Sequence, residues 1–132
     1  MTLVRVALAD DHTLVRAGIR ALLEAGGKVE VVAESGDGRE ALEMVLLHRP
    51  DVALIDLGMP GMNGLELARR LTQEAPRTRV IVLSMHAEAS YVRQALKAGV
   101  AGYLVKGASV YPALGGKTME FNGEGKCVAG CQ

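Results

Sequence analysis

The chain has 132 residues, enough for one domain with a true core and too few for two comfortable ones. Fifteen basic and fifteen acidic residues give a formal net charge of zero, so no global field draws the protein to nucleic acid or a membrane surface. Apolar residues make up 49%, with no Trp and one Phe, which suits Val-, Leu-, Ile- and Ala-rich helices packed on a parallel sheet. The N-terminus does not read as a signal peptide and no apolar run approaches membrane-spanning length, which points to the cytoplasm. Cys127 and Cys131 lie near the end without a third or fourth ligand group, and read as free thiols in a reducing compartment.

The first apolar run, "LVRVALA" (3–9), predicts a buried strand that ends on Asp10 and Asp11. Val15, Ile19, Leu22 and Leu23 then form a helical stripe, punctuated by Gly26-Gly27. A second strand is expected over "VEVVAES" (29–35), followed by a stripe of Ala41, Leu42, Val45 and Leu46 that stops before Pro50. "DVALID" (51–56) predicts the third strand, and Asn63 is placed to cap a helix carrying Leu67, Ala68 and Leu71. "RVIVLS" (79–84) predicts the fourth strand. The helix after it carries Val92, Ala95 and Leu96 and should stop at Gly99. "AGYLV" (101–105) predicts the fifth strand. Strand and helix alternating in this way imply βαβ crossovers and an α/β, doubly wound parallel five-stranded sheet.

The regularity stops near Gly107. The remaining stretch holds six glycines and one proline with no helical stripe, so the fifth helix is expected to be absent or irregular. The chain therefore divides into a domain over 1–106 and a Gly-rich tail over 107–132.

Ligands of an open parallel sheet bind beyond the carboxyl ends of its strands. Strand one delivers Asp10 and Asp11 there, strand three Asp56, strand four Ser84 and strand five Lys106. Taken singly, each reads as a helix cap, a turn hydroxyl or a surface lysine. Together they gather three carboxylates, a hydroxyl and an ammonium at one edge. Such carboxylates repel unless a cation sits among them, and an all-oxygen set suits Mg²⁺. The ammonium and hydroxyl suggest an anion held beside it, a combination that describes phosphoryl transfer. His12 is open between a metal ligand and a solvated residue at a helix start. His48 reads as a surface residue and His86 as a residue on the site rim.

The motifs "ADDH", "DVALIDLGMPGMNGLEL", "VIVLSMH" and "AGYLVK", in this order and spacing, resemble the response-regulator receiver domain of two-component signalling. "LVRAGIRALLE" and "ALKAGVAGYLVKGAS" give it the NarL/LuxR flavour. The resemblance implies the flavodoxin-like strand order 2-1-3-4-5. It makes Asp56 the phosphorylation site, charged by a sensor histidine kinase. It gives Mg²⁺ the ligands Asp11, Asp56 and the Gly58 carbonyl, with Asp10 supporting. Lys106 and Ser84 would hold the phosphoryl oxygens, and Tyr103 matches the aromatic that changes rotamer as Ser84 moves. Met85 departs from the small residue many receivers have there, and Gly107 from the commoner proline.

The expected function is a phosphoacceptor module that switches its helix-4/strand-5 surface, normally to control transcription. It is not expected to be an enzyme beyond its own phosphorylation and dephosphorylation. The competing reading, a Mg²⁺-dependent phosphohydrolase with an aspartyl nucleophile, needs a second carboxylate two residues past Asp56, where Gly58 stands. NarL-type receivers usually precede a DNA-binding helix-turn-helix. These residues contain none, so no DNA binding by this chain alone is expected. Without a fifth helix, the face carrying Val6, Leu8 and Leu104 should be partly uncovered, either meeting an irregular tail or driving self-association.

Overall fold

The computed structural model describes residues 2–84 and 89–105, together with the backbone of 120–121 and 127–129. β1 (Val4–Ala9), β2 (Val29–Ser35), β3 (Val52–Asp56), β4 (Arg79–Ser84) and β5 (Gly102–Val105) form one sheet in the order β2-β1-β3-β4-β5. Every neighbouring pair in it is parallel. Four helices alternate with these strands: α1 (Thr13–Ala25), α2 (Gly38–His48), α3 (Gly64–Glu74) and α4 (Ala89–Lys97). In the tail, β6 (Glu120–Phe121) and β7 (Cys127–Ala129) pair antiparallel. The expectation of a missing or irregular fifth helix falls on 106–119, which lie outside the described residues. So do the thiols of Cys127 and Cys131.

Side chains alternate across the strands, so the sheet separates two apolar clusters. Ala7, Ala9, Ala53, Ile55, Val80 and Val82 face α2, α3 and α4, meeting Ala41, Val45, Leu67, Leu71, Val92 and Ala95. Small alanines on β1 and β3 let these helices sit close to the sheet. The other face presents Val6, Leu8, Val31, Leu54 and Leu83, with Ile19 and Leu23 of α1 packed against them.

α1 covers this second face only in part. None of its 13 residues is buried, and Val15 and Leu22 stand exposed although the helical stripe places them inward. A helix about 10–12 Å across cannot cover five strands spaced about 4.8 Å apart. Val6 and Leu8, which the sequence suggests are partly uncovered, are buried. Ile81 and Leu104, farther along the sheet, are only partly buried. Polar ties supplement the apolar contact of α1. Arg20 pairs with Glu34 and with Glu24, and Glu24 accepts the Val31 N–H at 3.2 Å. That backbone donor and the Arg20 guanidinium hold the Glu24 carboxyl below its ordinary range. Exposed pairs of this kind contribute little each.

Helix ends follow local chemistry. Asn63 Oδ1 accepts the Leu65 N–H at 2.8 Å, and Asp37 Oδ1 accepts those of Arg39 and Glu40, so each side chain caps the helix it precedes. α2 ends in a left-handed Arg49 (φ 48°) just before Pro50, and its guanidinium donates to the Glu74 carbonyl.

The loop between β3 and α3 is wedged against the start of α2. Gly61 adopts φ 92°, and a Cβ there would lie 2.5 Å from Asp37 Oδ2. A Cβ on Gly64 would lie 2.5 Å from the Leu57 Cα, a backbone atom that cannot step aside. The two glycines of "GMNG" are therefore demanded by packing. Gly18, exposed on α1, meets nothing within 4 Å. Gly64→Ala should lower stability by about 1–3 kcal/mol through overpacking, whereas Gly18→Ala should raise it by up to about 1 kcal/mol. Urea unfolding of both variants checks this pair; equal effects would contradict the packing account.

Candidate functional site

β1 and β3 are adjacent and in register, with Ala9 opposite Ile55, so the residues that follow them emerge side by side. Asp10 leaves β1 with its side chain fully buried, and Asp56 ends β3 at 5% exposure. Asp11 points outward more, with 30% of its side chain exposed. One oxygen from each of the three carboxylates and one ring nitrogen of His12 lie within 4.8 Å of one another. The sequence reading placed the three aspartates at one edge, and the structure brings them together with His12.

The backbone around this cluster is held from several directions. The Asp10 N–H donates to the Ser35 carbonyl at 2.9 Å, continuing the β1–β2 pairing. Asp10 Oδ1 accepts the His12 N–H at 2.8 Å, which turns the chain into α1. Asp10 thus also has the ordinary role of a turn-forming aspartate. Arg16, one turn into α1, donates from Nη1 to the Asp10 carbonyl at 2.6 Å, and its Nε lies 3.3 Å from Glu34 Oε1. Sequence reasoning does not single out Arg16; the signal available was a lone basic residue one helical turn after the paired aspartates. Gly36 faces this tie, where a Cβ would lie 3.0 Å from Arg16 Nη1.

At the third carboxylate, the Gly58 N–H donates to Asp56 Oδ1 at 3.0 Å, so Gly58 lies beside the acceptor in the loop. Ser84 ends β4 at 1% exposure, and Tyr103 on β5 is buried with the α2–α4 cluster. Register places Leu83 opposite Asp56 and Val105 opposite Ser84, which brings the ends of β3, β4 and β5 to the same edge. Lys106 follows Val105 in sequence but lies outside the described residues, as do Met85, His86 and Gly107.

Two like charges about 4 Å apart repel by about 1 kcal/mol in water and about 4 kcal/mol at an effective dielectric of 20. The donor set fits a divalent cation, because carboxylate oxygens this close can share one ion and be neutralised by it. The carboxylates differ in what else they do. Asp10 holds the start of α1, while Asp11 is the more exposed member. In chelator-treated protein, Asp11→Ala should therefore be more stable than Asp10→Ala by about 1 kcal/mol, since both relieve repulsion and only the latter loses the turn hydrogen bond. Thermal unfolding that ranks them the other way would refute this division of roles.

Comparison with known proteins agrees with the fold. The family profile described as "Response regulator receiver domain" matches residues 6–110. Over 103 residues the chain is 47% identical to "Probable transcriptional regulatory protein NarL" of Mycobacterium tuberculosis, covering 78% of this chain and 48% of that protein. The chain spans about half the length of the curated relatives it matches. Among solved structures, the signal receiver domain of the response regulator NarL from Mycobacterium tuberculosis superposes with a TM-score of 0.81 at 41% identity, covering 88% of this chain and 94% of that one. The isolated REC domain of RcsB from Salmonella enterica serovar Typhimurium, solved in the presence of the phosphomimetic BeF₃⁻, has a TM-score of 0.75 at 31% identity, covering 81% of this chain and 80% of that one.

Proposed function

This chain belongs to the response regulator receiver domain family, and we propose that it accepts a phosphoryl group from a sensor histidine kinase onto Asp56. The observation that carries this reading is the meeting of Asp10, Asp11 and Asp56 at the carboxyl edge of β1 and β3. A carboxylate oxygen of Asp56 attacks phosphorus, the new P–O bond forms, and the P–N bond of the phosphohistidine breaks with its electron pair returning to the imidazole. A carboxylate is a competent nucleophile for such a transfer. The likeness to a receiver solved with a phosphomimetic supports the same reading.

Asp11 and Asp56, with the Gly58 carbonyl, would hold Mg²⁺, and Asp10 would support them. When bound, Mg²⁺ offsets negative charge on the phosphoryl oxygens. Ser84 at the end of β4 would hydrogen-bond to one phosphoryl oxygen, and Lys106 would pair with another. The inward movement of Ser84 would be matched by a rotamer change of Tyr103, altering the α4–β5 surface. Residues 1–106 form the receiver proper, and 107–132 a tail atypical of the family. The chain acts on itself and turns over no separate substrate. Cytoplasmic residence suits a partner of histidine kinases, and no helix among the described residues is long and apolar enough to cross a membrane.

Incubation with Mg²⁺ and acetyl phosphate should add one phosphoryl group to the wild type and none to Asp56→Asn. Intact-mass analysis reads this directly, and equal modification of the Asn variant would remove Asp56 from its role.

Control of transcription would require the DNA-binding part that NarL-type proteins carry, so these residues alone should bind no DNA sequence-specifically. The exposed Val15 and Leu22 of α1, and the partly buried Ile81 and Leu104 farther along the same face of the sheet, support self-association through that face. Light scattering should show a dimer that Val15→Lys/Leu22→Lys reduces to a monomer. A monodisperse wild-type monomer would contradict the association, and salt-resistant binding to one promoter fragment the other half.

A further inference from the structure

His12 stands at the start of α1 with its ring over the acidic edge, and phosphoryl acceptance by Asp56 gives it no task. Its Nδ1 lies 3.1 Å from Asp11 Oδ1, 3.3 Å from Asp10 Oδ1 and 4.0 Å from Asp56 Oδ2. The side chain is 67% exposed, so core packing does not explain where the ring sits. Its position is set by Asp10, whose Oδ1 is within hydrogen-bond distance of Nδ1 and also meets the backbone. Asp10 Oδ1 accepts the His12 N–H at 2.8 Å, which fixes the point from which the imidazole projects.

The spacing matches coordination geometry. Donors about 2.1 Å from a small octahedral ion lie about 3.0 Å apart when adjacent and about 4.2 Å apart when opposite. The separation of His12 Nδ1 from Asp11 corresponds to adjacent ligands, and that from Asp56 is close to opposite ones. A neutral imidazole adds a donor without adding to the repulsion among the carboxylates. It also changes which ions the site prefers, because Mg²⁺ favours oxygen whereas Co²⁺ and Zn²⁺ accept imidazole readily.

We propose that His12 Nδ1 is a further ligand of the cation held by Asp11 and Asp56. The site is then a mixed nitrogen–oxygen one that discriminates in favour of imidazole-accepting divalent ions over Mg²⁺. This rests on the reading of Asp11 and Asp56 as cation ligands. Ligation through Nδ1 leaves the ring proton on Nε2.

The test uses the full chain carrying Cys127→Ser and Cys131→Ser, which removes competing thiolates. Calorimetric titrations with MgCl₂ and with CoCl₂ are run on this protein and on its His12→Ala, His12→Asn and Asp11→Ala variants. Only Co²⁺ that excess Mg²⁺ displaces is counted. His12→Ala should weaken Co²⁺ binding by about tenfold or more while changing Mg²⁺ binding by less than about twofold. The visible absorption of bound Co²⁺ should change with it. His12→Asn keeps a good helix-start residue without a ring nitrogen, and should lose Co²⁺ preference in the same way. An unchanged Co²⁺-to-Mg²⁺ affinity ratio and an unchanged Co²⁺ spectrum in both His12 variants would overturn the proposal alone, provided Asp11→Ala weakens both ions. If Asp11→Ala binds both ions as before, the cation reading of the acidic edge fails, and the His12 assignment fails with it.

Discussion

Three carboxylates of adjacent strands share one edge of the sheet, and their mutual repulsion is the constraint around which the local structure is organised. The closeness follows from parallel pairing: β1 and β3 run together in register, so whatever follows Ala9 and Ile55 must emerge side by side. A parallel sheet fixes such neighbours through its central strands, which are buried on both faces. In the folded chain the repulsion is opposed by nearby donors. The Arg16 guanidinium approaches the Asp10 carbonyl, the His12 amide reaches Asp10, and the Gly58 amide reaches Asp56. Each donor comes from a segment that must hold its place for the edge to persist.

The segment that supplies Gly58 is held by close packing. The β3–α3 loop presses on the start of α2, with the Gly38 N–H donating to the Pro60 carbonyl at 2.9 Å and Asp37 filling the space beside Gly61. Asp37 serves both elements at once, because it also caps α2. Side chains at the acidic edge are thus positioned by contacts outside it. Packing between α2 and the loop matters to Asp56 even though neither carries a candidate ligand beyond Gly58.

Much of this was legible in the sequence. The strand runs of the main sheet were unambiguous because each was short and rich in Val, Leu, Ile and Ala, so its five observed and expected strands differ by at most a residue at an end, whereas β6 and β7 were not expected. Asp10, Asp11 and Asp56 were identifiable because strand ends in a parallel sheet converge whatever the intervening sequence. Other features depend on three-dimensional neighbours that periodicity does not report. The helical stripe of α1 read as core, yet Val15 and Leu22 are exposed, because a stripe tells which way a residue faces and not how much lies opposite. The left-handed Arg49 carries no local signal, since its conformation is supported by Glu74, which is 25 residues away. The hydrogen bond from Arg16 to the Asp10 carbonyl was equally hidden, because a backbone acceptor leaves no trace in the sequence.

The weak burial of α1 has a consequence for the two sides of the acidic edge. Free energies of local opening follow the buried contacts that must be broken, and they range from near zero to the global value within one domain. Asp56 ends a strand whose Ala53, Leu54 and Ile55 are buried between both clusters. His12 heads a helix in which no residue is buried. One side of the edge should therefore exchange its amides slowly, and the other adjoins a helix with few buried contacts to break on opening. Excursions of α1 would carry Arg16 and His12 away from the carboxylates while leaving β3 in place.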